Sequence, residues 1–247
     1  MDVDQTGSED RANLGPDETG EKDGLRRDRI DFGRWIVAGW NLIKDDLLGY
    51  MVAAFILAVV GVVSLRIWIP LGILILGPLL AGFFIMTTNH LRNGHPIIGD
   101  LLAVFTTSRL FWQVLLASLF VGVLVSLGFI LLVIPGIIAL GIWMFTFLFI
   151  VDRGLDFWDA MEASRAVARK DYLEFALFAL VLVVFNMCGV LVFVVGVLVT
   201  LPISFAAITC AYRELIGLSI RPAIRTGAGP KAPPPPPPPD PYGGIVR

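Results

Sequence analysis

Past residue 46 the chain alternates long apolar blocks with short polar punctuation. Apolar runs of about 18 residues or more read as membrane spans, and the blocks divide into six spans in three pairs. Span 1 covers about Leu48–Leu65 and span 2 about Trp68–Thr88, with Arg66 between them. Span 3 runs from about Leu110 to Val133 and span 4 from about Gly136 to Val151, separated by Ile134-Pro135-Gly136. Spans 5 and 6 share Phe175–Arg213, with a break expected near Gly196 or Pro202. At ~1.5 Å per residue, about 20 residues cross a ~30 Å hydrocarbon core, so spans 4 and 6 are short.

A helical periodicity precedes each pair. Phe32, Trp35, Ile36, Gly39, Trp40, Ile43 and Leu47 recur at the spacing of one helical face, with Asp31, Arg34, Asn41 and Lys44 on the other. Ile97–Arg109 and Asp156–Lys170 repeat the theme. In the latter, Phe157, Ala160, Met161, Ser164 and Ala168 share one face and Asp159, Glu162, Arg165 and Arg169 another. The pairs also end alike, in Arg92-Asn93-Gly94, in Arg153-Gly154, and in Arg213 followed by Gly217, with Gly-to-Gly intervals of 60 and 63 residues. The pattern predicts three copies of an interfacial helix plus a helical hairpin. Trp35, Trp40, Phe157 and Trp158 are the candidate membrane-interface residues, because aromatic rings beside cationic side chains suit the headgroup level.

Composition agrees with this pattern. The 247 residues are 56% apolar and 16% charged, against about 45–50% and about 25% in a soluble domain, which excludes a soluble globular protein. Fourteen of the 40 charged side chains fall in the first 29 residues. That segment lacks the apolar surface to offset ordering entropy and is expected to be a disordered acidic tail. It has no basic and apolar signal-peptide pattern. Residues 30–218 form the membrane domain, and residues 219–247 a disordered tail containing Pro233–Pro239. Seven consecutive prolines form an extended polyproline II rod, which serves as a stiff linker or docks a protein partner with an aromatic groove.

If both termini share one side, that side collects 18 of the 19 Lys and Arg residues, Arg66 being the exception, and every acidic residue. The positive-inside rule then makes it cytoplasmic and predicts a bacterial inner-membrane protein contacting the bilayer, with anionic phospholipids as candidate partners. A net charge of −2 argues against nucleic acid.

Candidate chemistry is sparse. His90 and His95 straddle a turn signal, which favours solvated interfacial histidines over metal ligands. Asp156 and Asp159 suit the start of a helix, where carboxylates meet the positive end of the dipole. Cys188 and Cys210 lie in apolar segments and suggest neither disulfides nor a metal cluster. No cofactor is expected. The candidate intramembrane polar residues are Asn186 and Gln113, since a deep amide bonds either a neighbouring helix or a solute. Ser118, Gly122 and Ser126 make a small-residue packing stripe. Pro78, Pro135 and Pro202 are candidate helix kinks.

Ile134-Pro135-Gly136-Ile137-Ile138, Trp143, Asp152-Arg153-Gly154, Ala160 and Ser164 also carry a resemblance, together with Gly77-Pro78-Leu79-Leu80-Ala81-Gly82 and Leu91-Arg92-Asn93-Gly94. Over about Phe32–Leu218 the chain resembles a family of uncharacterised bacterial polytopic membrane proteins. That family is itself similar to the membrane domain attached to some glycerophosphoryl diester phosphodiesterases. In those enzymes catalysis belongs to a separate soluble barrel, so the resemblance implies a fold and carries over no catalytic residue.

The expected fold class is therefore all-α, a polytopic membrane protein of about six transmembrane helices in three repeats. The expected role is non-enzymatic: a scaffold, a regulator or a lipid-interacting protein. The alternative is a transporter or channel for a small neutral or amphipathic solute. A weaker reading is an interfacial lipid-modifying enzyme using Asp152, Asp156, Asp159 and His90.

Overall fold

The computed structural model describes residues 32–67, 69–191 and 193–219, and both expected tails lie outside these residues apart from Ser219. Helix α1 (Phe32–Ile43) passes through a 3-10 turn, Lys44–Asp46, into α2 (Leu47–Ile67), and α3 is Ile69–Asn93. A 3-10 turn, Ile98–Leu102, and α4 (Ala103–Thr106) lead to α5 (Ser108–Leu131), α6 (Val133–Trp143) and α7 (Thr146–Arg153). Then follow α8 (Phe157–Ala168), α9 (Tyr172–Leu191) and α10 (Phe193–Leu215).

Among the described residues, five helical stretches are long and apolar enough to cross a bilayer: Phe32–Val63, Ser108–Leu131, Val133–Arg153, Tyr172–Leu191 and Gly196–Leu215. The remaining expected span falls in α3, a continuous helix of 25 residues. The chain is an all-α, polytopic membrane protein.

Three local expectations are corrected. Span 5 is α9, described to Leu191, and span 6 is α10, described from Phe193, so Gly196 lies within α10 and Pro202 lies inside it without ending it. Gly189 of α9 and Gly196 of α10 pack backbone to backbone, an approach that any Cβ would block. Pro135 does not kink a span. It sits in the first turn of α6, where a backbone N–H has no helical acceptor to lose. Span 4 is instead interrupted at Met144-Phe145, between α6 and α7. The cause is Ser164 of α8, whose Oγ donates to the Ile142 carbonyl at 2.7 Å and accepts from the Phe145 N–H at 3.3 Å. An inserted side chain of this kind replaces the helical ladder and turns the axis.

The repeat has a physical counterpart. Gly94, Gly154 and Gly217 adopt φ of 80°, 68° and 79°. Their N–H groups close on the carbonyls of His90, Ile150 and Arg213 at 2.9, 3.0 and 3.1 Å. This left-handed cap strains any other residue, so the three hairpins stop in the same way. Each interfacial segment packs on the second span of the unit before it. Segment 98–106 lies on α3, α8 lies on α6 and α7, and α1 lies on α10, which closes a ring of three units.

Equivalent contacts recur around this ring. The Leu101 carbonyl occupies the space a Cβ on Gly82 would need, Ser164 meets Ile142, and Gly39 meets the backbone of Ile203 and Ala207. Gly82 and Ile142 are 60 residues apart, and Ile203 and Ala207 lie 61 and 65 residues beyond Ile142, close to the period of the glycine caps. The interfacial segments lie at the same ends of the spans as the Gly94, Gly154 and Gly217 caps, the collar side, and the opposite ends of the spans form the turn side.

Candidate ligand cavity within the membrane domain

Five helices stand in a closed ring, α3 against α5, α5 against α6, α6 against α9, α9 against α10 and α10 against α3. They line a broadly open cavity of about 600 Å³, within the size range of pockets that hold small molecules. Leu80, Phe84, Leu140, Phe147, Leu182 and Phe205 give its wall a hydrocarbon and aromatic character. The polar side chains in the wall are Trp143, Asn186 and Ser204, and none of the lining residues is ionisable.

The two ends differ. Lining residues towards the turn side are open, Met187 at 62% and Val190 at 64% exposure, whereas Ala179, Leu182 and Phe84 are buried. The blind end is floored by Phe84, stacked on Phe147 at 6.4 Å and edge-on to Phe205 at 5.2 Å. Towards the collar side Tyr212 packs edge-on to Phe149 at 5.3 Å. A polar knot follows, in which Asp152 is 1% exposed. Asp152 pairs with Arg92 and accepts from the Tyr212 hydroxyl at 3.2 Å and the Ser219 N–H at 3.0 Å. Arg92 also donates to the Ser219 carbonyl at 2.9 Å. The second spans of all three units, α3, α7 and α10, are thereby tied together beneath the cavity.

Asn186 lies in the wall with a definite orientation. Its Nδ2 donates to the Leu182 carbonyl at 2.8 Å and to Ser204 Oγ at 2.7 Å. A carbonyl can only accept, so the amide cannot be reversed. The pair braces α9 against α10, because Ser204 in turn donates to the Thr200 carbonyl. Interhelical bonds of this kind contribute on average about 0.6 kcal/mol in membrane proteins, with a maximum of about 2. Asn186→Leu is therefore expected to lower stability by about 0.6–2 kcal/mol and to leave occupancy of the cavity unchanged. Unfolding titration and native mass spectrometry check the two halves, and lost occupancy at intact stability would make the amide a ligand contact.

The second expected polar residue lies elsewhere. Gln113 accepts from the Phe157 N–H at 2.8 Å and donates to Asp156 at 2.9 Å. It caps α8 from a neighbouring helix, at a helix start that sequence spacing assigned to Asp156 and Asp159. Trp35 does not face headgroups. It is 2% exposed, packs edge-on to Phe178 at 5.0 Å and donates to Glu214 at 3.0 Å. Trp40 and Trp158 are exposed, whereas Phe157 is half-buried and stacks on Phe120. Trp112 and Tyr172, at the collar-side ends of α5 and α9, are exposed too and join this aromatic rim.

Of the small-residue stripe, Ser118 alone meets another helix, at Gly77 of α3; Gly122 faces open space and Ser126 is exposed. His95 is exposed as expected, but His90 is buried and hydrogen-bonds Tyr50 at 3.0 Å. Cys210 is buried and Cys188 exposed. No protein-family model, curated protein or solved structure matches this chain.

Proposed function

We propose that this chain is a non-enzymatic membrane protein that binds a lipid or comparably apolar molecule inside its helical ring. The observation that carries the reading is the cavity, about 600 Å³ of apolar-lined space within the membrane domain. A void of that size leaves its lining without dispersion partners, and inside a bilayer the material at hand to fill it is hydrocarbon. The aromatic floor and the Asp152 knot separate it from the collar side, which favours holding a molecule over conducting one. Asp152, Asp156 and His90 are each engaged in structural contacts, so none is offered as catalytic.

The Lys and Arg distribution supports a bacterial inner-membrane setting with the collar facing the cytoplasm.

Native mass spectrometry of the full chain released from mild detergent, with the co-purifying lipids extracted and identified, tests the reading. One apolar class retained at fixed stoichiometry is expected. Val183→Phe and Leu201→Phe, which project bulk into available space, are expected to lose it at unchanged unfolding midpoint. A bare wild-type chain, or one carrying only another protein, would replace this reading with a scaffold or regulator.

A further inference from the structure

We infer that the cavity takes one hydrocarbon chain, methyl end first, from the leaflet on the turn side, and leaves the polar end of that molecule at the mouth. This rests on the binding reading above and specifies what is bound and in which direction.

Volume sets the number of chains. A water molecule's share of liquid volume is about 30 Å³, and a methylene group occupies a similar space. The roughly 600 Å³ available thus takes about twenty methylenes, enough for one long acyl chain but not for both chains of a diacyl lipid.

The chemistry of the wall sets the direction. None of the lining residues is ionisable, and the Asn186 amide nitrogen and Ser204 hydroxyl already bond each other and backbone carbonyls. The Asn186 carbonyl oxygen is a buried acceptor without a partner, so a charged or hydrated head drawn inward would exchange its full solvation for at most one hydrogen bond. A methyl end loses nothing. Access agrees with this, because exposure falls from Met187 and Val190 at the turn side to Leu182 and Phe84 at the floor. Beyond the floor the Arg92–Asp152–Tyr212 knot blocks passage.

Trp143 is a built-in reporter. It lines the cavity ten residues into α6, about 15 Å from the turn end at 1.5 Å per residue. A chain inserted as inferred brings its methyl end to this ring.

The test uses the full chain in nanodiscs of unlabelled lipid, titrated with a long-chain alcohol brominated either at its methyl end or beside its hydroxyl. Tryptophan fluorescence is expected to show saturable quenching, several-fold deeper with the methyl-end label. That component should be absent from Trp143→Phe and need about tenfold more probe in Val183→Phe. Leu201→Phe repeats the second comparison should Val183→Phe fold poorly. A diacyl phospholipid brominated at one chain end forms the second arm. Saturable quenching by it assigns the chain to a membrane phospholipid, and quenching by the alcohol alone assigns it to a single-chain amphiphile; either supports the inference. Equal or deeper quenching by the hydroxyl-end label would overturn the direction of insertion and leave the binding reading standing. No saturable component with any label would remove the binding reading itself.

Discussion

Asp152→Ala is expected to lower the stability of the folded chain by about 3–5 kcal/mol, the usual effect of removing one partner from a buried ion pair. The Asp152 side chain is fully enclosed, and the Arg92 side chain keeps only 17% of its exposure. Without the carboxylate, the guanidinium is left largely desolvated, and the Tyr212 hydroxyl and Ser219 N–H lose their acceptor. The three second spans meet at this point, so the loss is felt by all of them. Unfolding titration in mixed micelles reads the effect.

The comparison that isolates the mechanism is Arg92→Leu with Asp152→Leu. Replacing a whole buried pair by apolar groups is often close to neutral, so the double variant should be markedly more stable than Asp152→Ala. A double variant no better than the single one would show that geometry at the knot, and not the stranded charge, is what matters. Asp152→Asn should fall between, since it keeps an acceptor for Tyr212 or Ser219.

The architecture was largely legible because two signals in the sequence are local. Apolar runs of bilayer length placed the spans to within a few residues, as the match of Leu48–Leu65 to α2 and of Leu110–Val133 to α5 shows. Glycines 94, 154 and 217 announced the repeat, since a left-handed cap is a requirement of the backbone at a single position. The polar face of α8 was also readable, with Asp159, Glu162, Arg165 and Arg169 all exposed.

What could not be read was set by partners distant in sequence. The interruption of span 4 depends on Ser164, about twenty residues downstream of the carbonyl it bonds. Trp35 had the composition of an interfacial anchor, and only the ring closure that brings α1 onto α10 encloses it. The cavity was the least visible feature. Leu140, Val183 and Leu201 are the same residue types as those facing lipid, and hydropathy cannot distinguish a wall facing an internal space from one facing the bilayer. The two intramembrane amides were the available sequence signal. One of them, Asn186, did fall in the wall, while Gln113 went to the collar.

The ring closure makes a prediction whose sign changes with position. In an exposed helix interior, Gly→Ala is favourable by up to about 1 kcal/mol through backbone entropy, and Gly122→Ala should stabilise in that way because its Cβ meets open space. Gly39→Ala should do the reverse. A Cβ there would lie 2.8 Å from the Ala207 nitrogen and 3.0 Å from the Ile203 carbonyl oxygen, and these are backbone atoms that cannot rotate aside. Gly82→Ala meets the Leu101 carbonyl at the equivalent place in the next unit. Overpacking typically costs about 1–3 kcal/mol, enough to reverse the entropic gain at both positions, and the pair combined should approach the sum because the two contacts are separate. Unfolding midpoints of the three single variants and of Gly39→Ala with Gly82→Ala check this. Stabilisation at Gly39 would mean that α1 does not seat on α10 and that the ring of three units is open.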